Sequence, residues 1–166
     1  MTQQIGGASA AKTIALIVGP KGVNAGLAAL TQPANQPRAT PLDAAQVRAQ
    51  NVAADLAERG GAQYPAVNVY CEKVVNSLVE KFRSFSGSVQ MAVEIRHSQD
   101  RLDGLQDQLE VYADAATQAL DGARGDWGDG MFYAGGYQVA FGGAKQGGKN
   151  FIQTAKITFE IGVSRN

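Results

Sequence analysis

The sequence predicts an α+β fold: a mostly antiparallel sheet of about four strands packed against a long helix, with an N-terminal helical extension. Three observations predict it. Apolar residues alternate with polar ones over 67–71 and 89–95, the period of half-buried strands. Between 100 and 121 they recur every three or four positions instead, as on one face of a helix. The first 61 residues hold no aromatic side chain and are rich in alanine, which separates them from everything after Tyr64. The expected organisation is therefore a helical extension and linker over 1–61 and an α+β core with a long C-terminal hairpin over 62–166.

In chain order, a first helix is expected over 8–18, ended by Gly19-Pro20. Residues 31–40 read as an extended linker containing Pro33 and Pro37. Thr40 can cap a second helix, Pro41 suits its first position, and Leu42, Ala45, Ala49, Val52 and Leu56 form its apolar stripe up to Gly60-Gly61. Val67, Val69 and Cys71 mark the first strand; Val89, Met91, Val93 and Ile95 mark the second, with a kink at 86–88 and residues 78–85 as a backward extension. A helix follows from Ser98 or Asp100, burying Leu102, Leu105, Leu109, Tyr112, Ala116 and Leu120. Residues 122–130 form a loop around Trp127, and strands over 133–141 and 157–163 close the chain, joined by a glycine-rich segment into a long hairpin.

Composition narrows the function. The 15 Lys and Arg balance the 15 Asp and Glu, so the basic surplus that phosphate affinity requires is missing; general nucleic-acid binding and membrane-surface binding are both disfavoured. The apolar run at 14–18 is too short to cross a bilayer or form a secretory core, and the chain is expected to be intracellular when made. One cysteine, Cys71, leaves no internal disulfide and no cysteine-rich metal site. Glycine makes up 20 of the 166 residues, and 11 of the 20 fall between 122 and 166.

Residues 143–150 (GAKQGGKN) match the phosphate-loop pattern G-x-x-x-x-G-K but end in Asn150, where the pattern needs Ser or Thr for magnesium. A period-two strand follows instead of a helix, so a hairpin tip is the better reading than a nucleotide-binding enzyme. His97, the sole histidine, has no orienting carboxylate or nucleophile at a recognisable spacing. Asp126 and Asp129 flank Trp127 without the downstream glutamate of a calcium loop. No catalytic, cofactor-binding or metal-binding residues are expected, and no enzyme activity.

Charge is segregated although it sums to zero. Residues 99–130 carry eight acids and two bases, net −6, while the first 42 residues carry Lys12, Lys21 and Arg38 and no acid. Lys145 and Lys149 lie at the far hairpin. Subunit-interface candidates are therefore Asp103, Asp107, Glu110 and Asp114 on the helix, Lys145 and Lys149 on the hairpin, and Trp127 in the loop, one subunit's basic arm lying on the next subunit's acidic helix.

Residues 64–72 (YPAVNVYCE), the strand 89–96 running into the helix 100–120, and above all 133–142 (YAGGYQVAFG) with 145–160 (KQGGKNFIQTAKITFE) resemble the tail terminator, or tail completion, proteins of long-tailed bacteriophages. The likeness covers about 64–163; the first 60 residues depart from the shorter helical lead-in usual in that family. The resemblance implies a virion protein of the tail neck, assembled in the host cytoplasm as a homohexameric ring. Its implied partners are further copies of itself, the tail tube protein and the head-tail connector or stopper protein. DNA would pass through the ring without sequence-specific binding, and no membrane is involved. Another neck, connector or tail-tube subunit is the alternative within the same class.

Overall fold

The structure, a computed structural model, describes residues 4–32, 34, 38–52 and 63–166. Over these residues it is α+β, and the sheet is larger than expected: eight strands in place of about four. The helices are α1 (Ile5–Val18), α2 (Val23–Ala29) and α3 (Leu105–Asp121). The strands are β1 (Val47–Arg48), β2 (Ala66–Asn76), β3 (Phe85–Gln99), β4 (Gly125–Gly128), β5 (Met131–Tyr133), β6 (Gln138–Phe141), β7 (Lys145–Gly147) and β8 (Asn150–Arg165).

Strands β3 and β8 form the spine. They pair antiparallel from Phe85 opposite Arg165 to Gln99 opposite Phe151, a ladder about 45 Å long at roughly 3.3 Å per residue. Strand β2 pairs antiparallel with the free edge of β3, and β1 adds a short parallel pairing to β2, which makes the sheet mixed. On the other side β8 receives β7, β6 and β5 in succession. Val89, Met91, Val93 and Ile95 face one side with Ile161, Phe159, Ile157 and Ala155 opposite them, and all are buried. Alternation read correctly there because one face is packed and the other carries Gln90, Glu94, Lys156 and Glu160.

The packed face is covered by α1 and α3, with α2 against α3. Ile5, Ile17, Val23 and Leu27 join Leu109, Tyr112, Ala116 and Leu120 in a single buried cluster with the strands. Gly26 of α2 lies so close to Ala115 of α3 that an added Cβ would stand 3.0 Å from the Ala115 Cα. That close approach holds a seven-residue helix that has too little sequence of its own to announce it.

Four local expectations are corrected. The helix expected from Thr40 is replaced, over the described residues 40–52, by a single 3-10 turn at Ala44–Gln46 and by β1; its expected continuation over 53–60 lies outside the described residues. Asp43 and Gln46 form a capping box, but Gln46 Nε2 also donates to the Pro65 carbonyl at 3.0 Å, tying the turn to the start of β2. The expected long helix is shorter: β3 runs on to Gln99, and Gly104 at φ 80° keeps α3 from starting before Leu105. The break expected at 86–88 sits in the partner strand, where the β2 register shifts between Cys71 and Lys73. Residues 125–128, expected as loop, pair with β5 as β4.

Residues 38–42 are fastened to α3. The Tyr112 hydroxyl donates to the Thr40 carbonyl at 2.9 Å and lies 3.3 Å from its hydroxyl. Replacing Tyr112 with phenylalanine is expected to lower unfolding free energy by about 1 kcal/mol, the usual worth of such a bond. Urea denaturation measures this; an unchanged midpoint would show that the segment is held by other contacts.

Candidate assembly surface

Of the run 78–85 expected to extend the strand, only Phe85 belongs to β3; residues 77–84 form the turn joining β2 to β3, the most exposed apolar feature of the described residues. Phe82 is 98 % exposed, Val79 77 % and Leu78 56 %, with Val74 and Val75 also exposed on the adjoining β2. A loop normally turns its polar groups outward and its apolar ones inward. Here polarity is inverted. Asn76 Oδ1 accepts from the backbone N–H groups of Leu78 and Ser86, and its Nδ2 donates to the Ser84 carbonyl. The Ser86 hydroxyl accepts from the Glu80 N–H at 2.7 Å.

A second set of bonds ties the turn to the end of β8. Glu80 Oε2 accepts from the Ser164 hydroxyl at 2.8 Å and pairs with Arg83 at 3.1 Å. Arg83 Nη1 also donates to the Asn166 side chain, and the Ser84 hydroxyl to the Arg165 carbonyl. The Ser164 hydrogen bond, followed by Arg83, holds the Glu80 carboxyl below the usual carboxylate range. Leu78 sits at φ 49°, a conformation that costs free energy for a branched side chain. The tip is thus a braced scaffold that holds apolar side chains out in water.

At the opposite end of the β3–β8 ladder lie the residues singled out by charge. The β7–β8 turn carries Lys149, with Lys145 at the start of β7. Asp103 lies in the turn before α3, and Asp107, Glu110 and Asp114 are on the exposed side of α3. Helix α3 and the basic turn meet at this end, where Gln153 of β8 bonds Gln106 of α3 at 3.1 Å. Acidic helix and basic hairpin therefore share one end of a subunit. Among the described residues no ion pair reaches Asp100, Asp103, Glu110 or Asp114, and Leu102 between the first two is 57 % exposed. Asp114 titrates above the usual carboxylate range, first through burial and then through Glu110 one turn away.

Other charges are neutralised within the chain. Lys12 of α1 pairs with Asp129 at 3.1 Å and donates to the Trp127 carbonyl at 2.8 Å. Arg124 pairs with Asp121, and Lys156 with Glu72. Trp127 itself is half-buried: its indole N–H donates to the Ala123 carbonyl, and its ring tilts against Tyr133 at 5.6 Å and Phe159 at 6.2 Å. On the polar face of the sheet, Tyr70 donates to Glu94 at 2.6 Å and Arg96 pairs with the same carboxylate.

No protein-family model matches the chain, and no curated protein matches it in sequence. Among the described residues no three His, Cys, Asp or Glu side chains gather as a metal site, and no helix is long and apolar enough to cross a membrane. The 143–150 segment opens β8 instead of a helix, so its glycines turn a hairpin, with Gly148 at φ 70°.

His97 lies near the end of β3 with its ring tilted against Tyr112 at 5.6 Å, and its Nδ1 is buried without a hydrogen-bond partner. Burial holds its pKa below the ordinary histidine value. The unfolded chain therefore takes up the proton first as pH falls through about 6.5, and folding stability drops from there until the folded state also protonates. Denaturation at pH 7.5 and pH 5 is expected to show this loss in the wild type and a smaller one in His97→Phe; equal losses would place the titration elsewhere.

Proposed function

We propose that the chain is a structural virion subunit that self-associates into a ring, a hexamer by its resemblance, and terminates the tail tube of a long-tailed bacteriophage. The observation that carries this reading is the braced, solvent-exposed apolar tip of the β2–β3 hairpin. A surface of that kind lowers the solubility of an isolated subunit and gains free energy only when a partner covers it. Asp100, Asp103, Glu110 and Asp114, which no ion pair reaches among the described residues, add a second surface that suits a partner. Termination would be capping: the ring seats on the last ring of tube protein and offers no further tube-docking face, while its other side meets the head connector.

Native mass spectrometry and particle imaging of the full chain, alone and with tube protein, test the proposal. Closed rings and tubes of limited length are expected. A strict monomer that neither forms rings with tube protein nor limits tube length would overturn it, and spontaneous growth of long tubes from this chain alone would reassign it as a tube subunit.

A further inference from the structure

We infer that the hairpin tip of one copy docks on the opposite end of a second copy, against Leu102 and the acidic start of α3, so that copies join head to tail. The assignment rests on the reading of the chain as a self-assembling subunit and names the two surfaces that meet.

Charge complementarity selects the occupant. Around the apolar tip, Glu80 is engaged by Arg83 and Glu72 by Lys156, which leaves Lys73 and Lys81 exposed with no ion pair among the described residues. The tip is therefore apolar with a positive border. The far end of the molecule has the opposite balance: Leu102 is exposed between Arg101 and Asp103, and the acids at 100, 103, 107, 110 and 114 outnumber the bases Arg101, Lys145 and Lys149 there. Glu110 and Asp114 stand four residues apart on the helix, a like-charge spacing that destabilises it until a cation arrives. An apolar contact ringed by opposite charges has the anatomy of a specific interface.

Geometry excludes the same contact within one copy. The tip lies beyond Phe85 and the acidic end beyond Gln99, at the two ends of β3, about 45 Å apart at roughly 3.3 Å per residue. The two surfaces differ, so the contact is heterologous; repeated with a closing rotation it gives a ring, and without one a filament. The brace on the tip keeps the ordering cost of docking low.

Complementation of reversed charges in the full-length chain tests this. One variant carries Lys73→Glu with Lys81→Glu; the other carries Asp100→Lys with Asp103→Lys. Each opposes like charges at every contact and is expected to weaken self-association about tenfold or more, as read by sedimentation velocity at 0.1 M salt, with an unchanged thermal midpoint. In an equimolar mixture with alternating copies every contact again pairs opposite charges, and assembly is expected. Either variant assembling alone as the wild type does, or a mixture as weak as its components, overturns the docking assignment and leaves the self-assembling reading standing. A wild-type chain that stays monomeric at every concentration removes both.

Discussion

Phe82→Asp is expected to weaken self-association at least thirtyfold, about 2 kcal/mol, the threshold of an interface hot spot, without lowering the thermal midpoint. The two halves of the result have separate causes. At 98 % exposure the ring loses almost no internal packing when it is removed, so the folded subunit has little to lose. In an assembly the same position would force a carboxylate into an apolar contact, adding desolvation to the lost burial. Phe82→Leu keeps much of the apolar area and is expected to retain most of the affinity. Sedimentation equilibrium with thermal unfolding on the same samples decides between the causes. A falling midpoint would place Phe82 in the subunit's own packing, and unchanged association would take the tip out of the interface.

Gly87→Val is expected to cost about 3 kcal/mol of stability, the range of severe steric changes, and to lower the thermal midpoint by about 10 °C for a chain of this size. Gly87 is in β3 between Asn76 of β2 and Val163 of β8. A Cβ built there would lie 1.9 Å from the Val75 carbonyl oxygen and 2.9 Å from its carbon. Both are backbone atoms, so no side-chain rotation relieves the clash and the two strands must separate at the root of the hairpin. Because the tip is braced from that root, association is expected to weaken along with stability. Chemical denaturation measures the loss; a wild-type midpoint would show that β2 and β3 can part here at no cost.

What could be read in the sequence depended on whether one residue's environment was set by its near neighbours. Val89, Met91, Val93 and Ile95 announced their strand because a single packed face imposes period two. The stripe of Leu42, Ala45, Ala49 and Val52 announced a helix that does not form in the described residues; Gln46 finds the Pro65 carbonyl and Val47 pairs with Val67 instead, so long-range bonds override local propensity. Helix α2 was invisible because its stability comes from Gly26 against Ala115, 89 positions away in the chain. The acidic helix face and the two hairpin lysines were legible as charges. Their shared end of the molecule was not, since spacing along a chain does not say at which end of an antiparallel ladder a turn falls. The tip was missed because Leu78, Val79 and Phe82 read as buried strand; the serines at 77 and 84 and the charged residues at 80, 81 and 83 were the available signals of a turn.

The β3–β8 ladder also has a mechanical meaning. Its hydrogen bonds run across the strands, and the two proposed docking ends lie at the two ends of β3. Tension passed from copy to copy would enter β3 at one end and leave it at the other, so the covalent backbone of β3 would carry it, while the bonds to β2 and β8 keep that strand extended and in register. A hairpin pulled apart from its open end yields one bond at a time. A subunit joined through these two proposed ends would pass load along one strand without peeling its sheet.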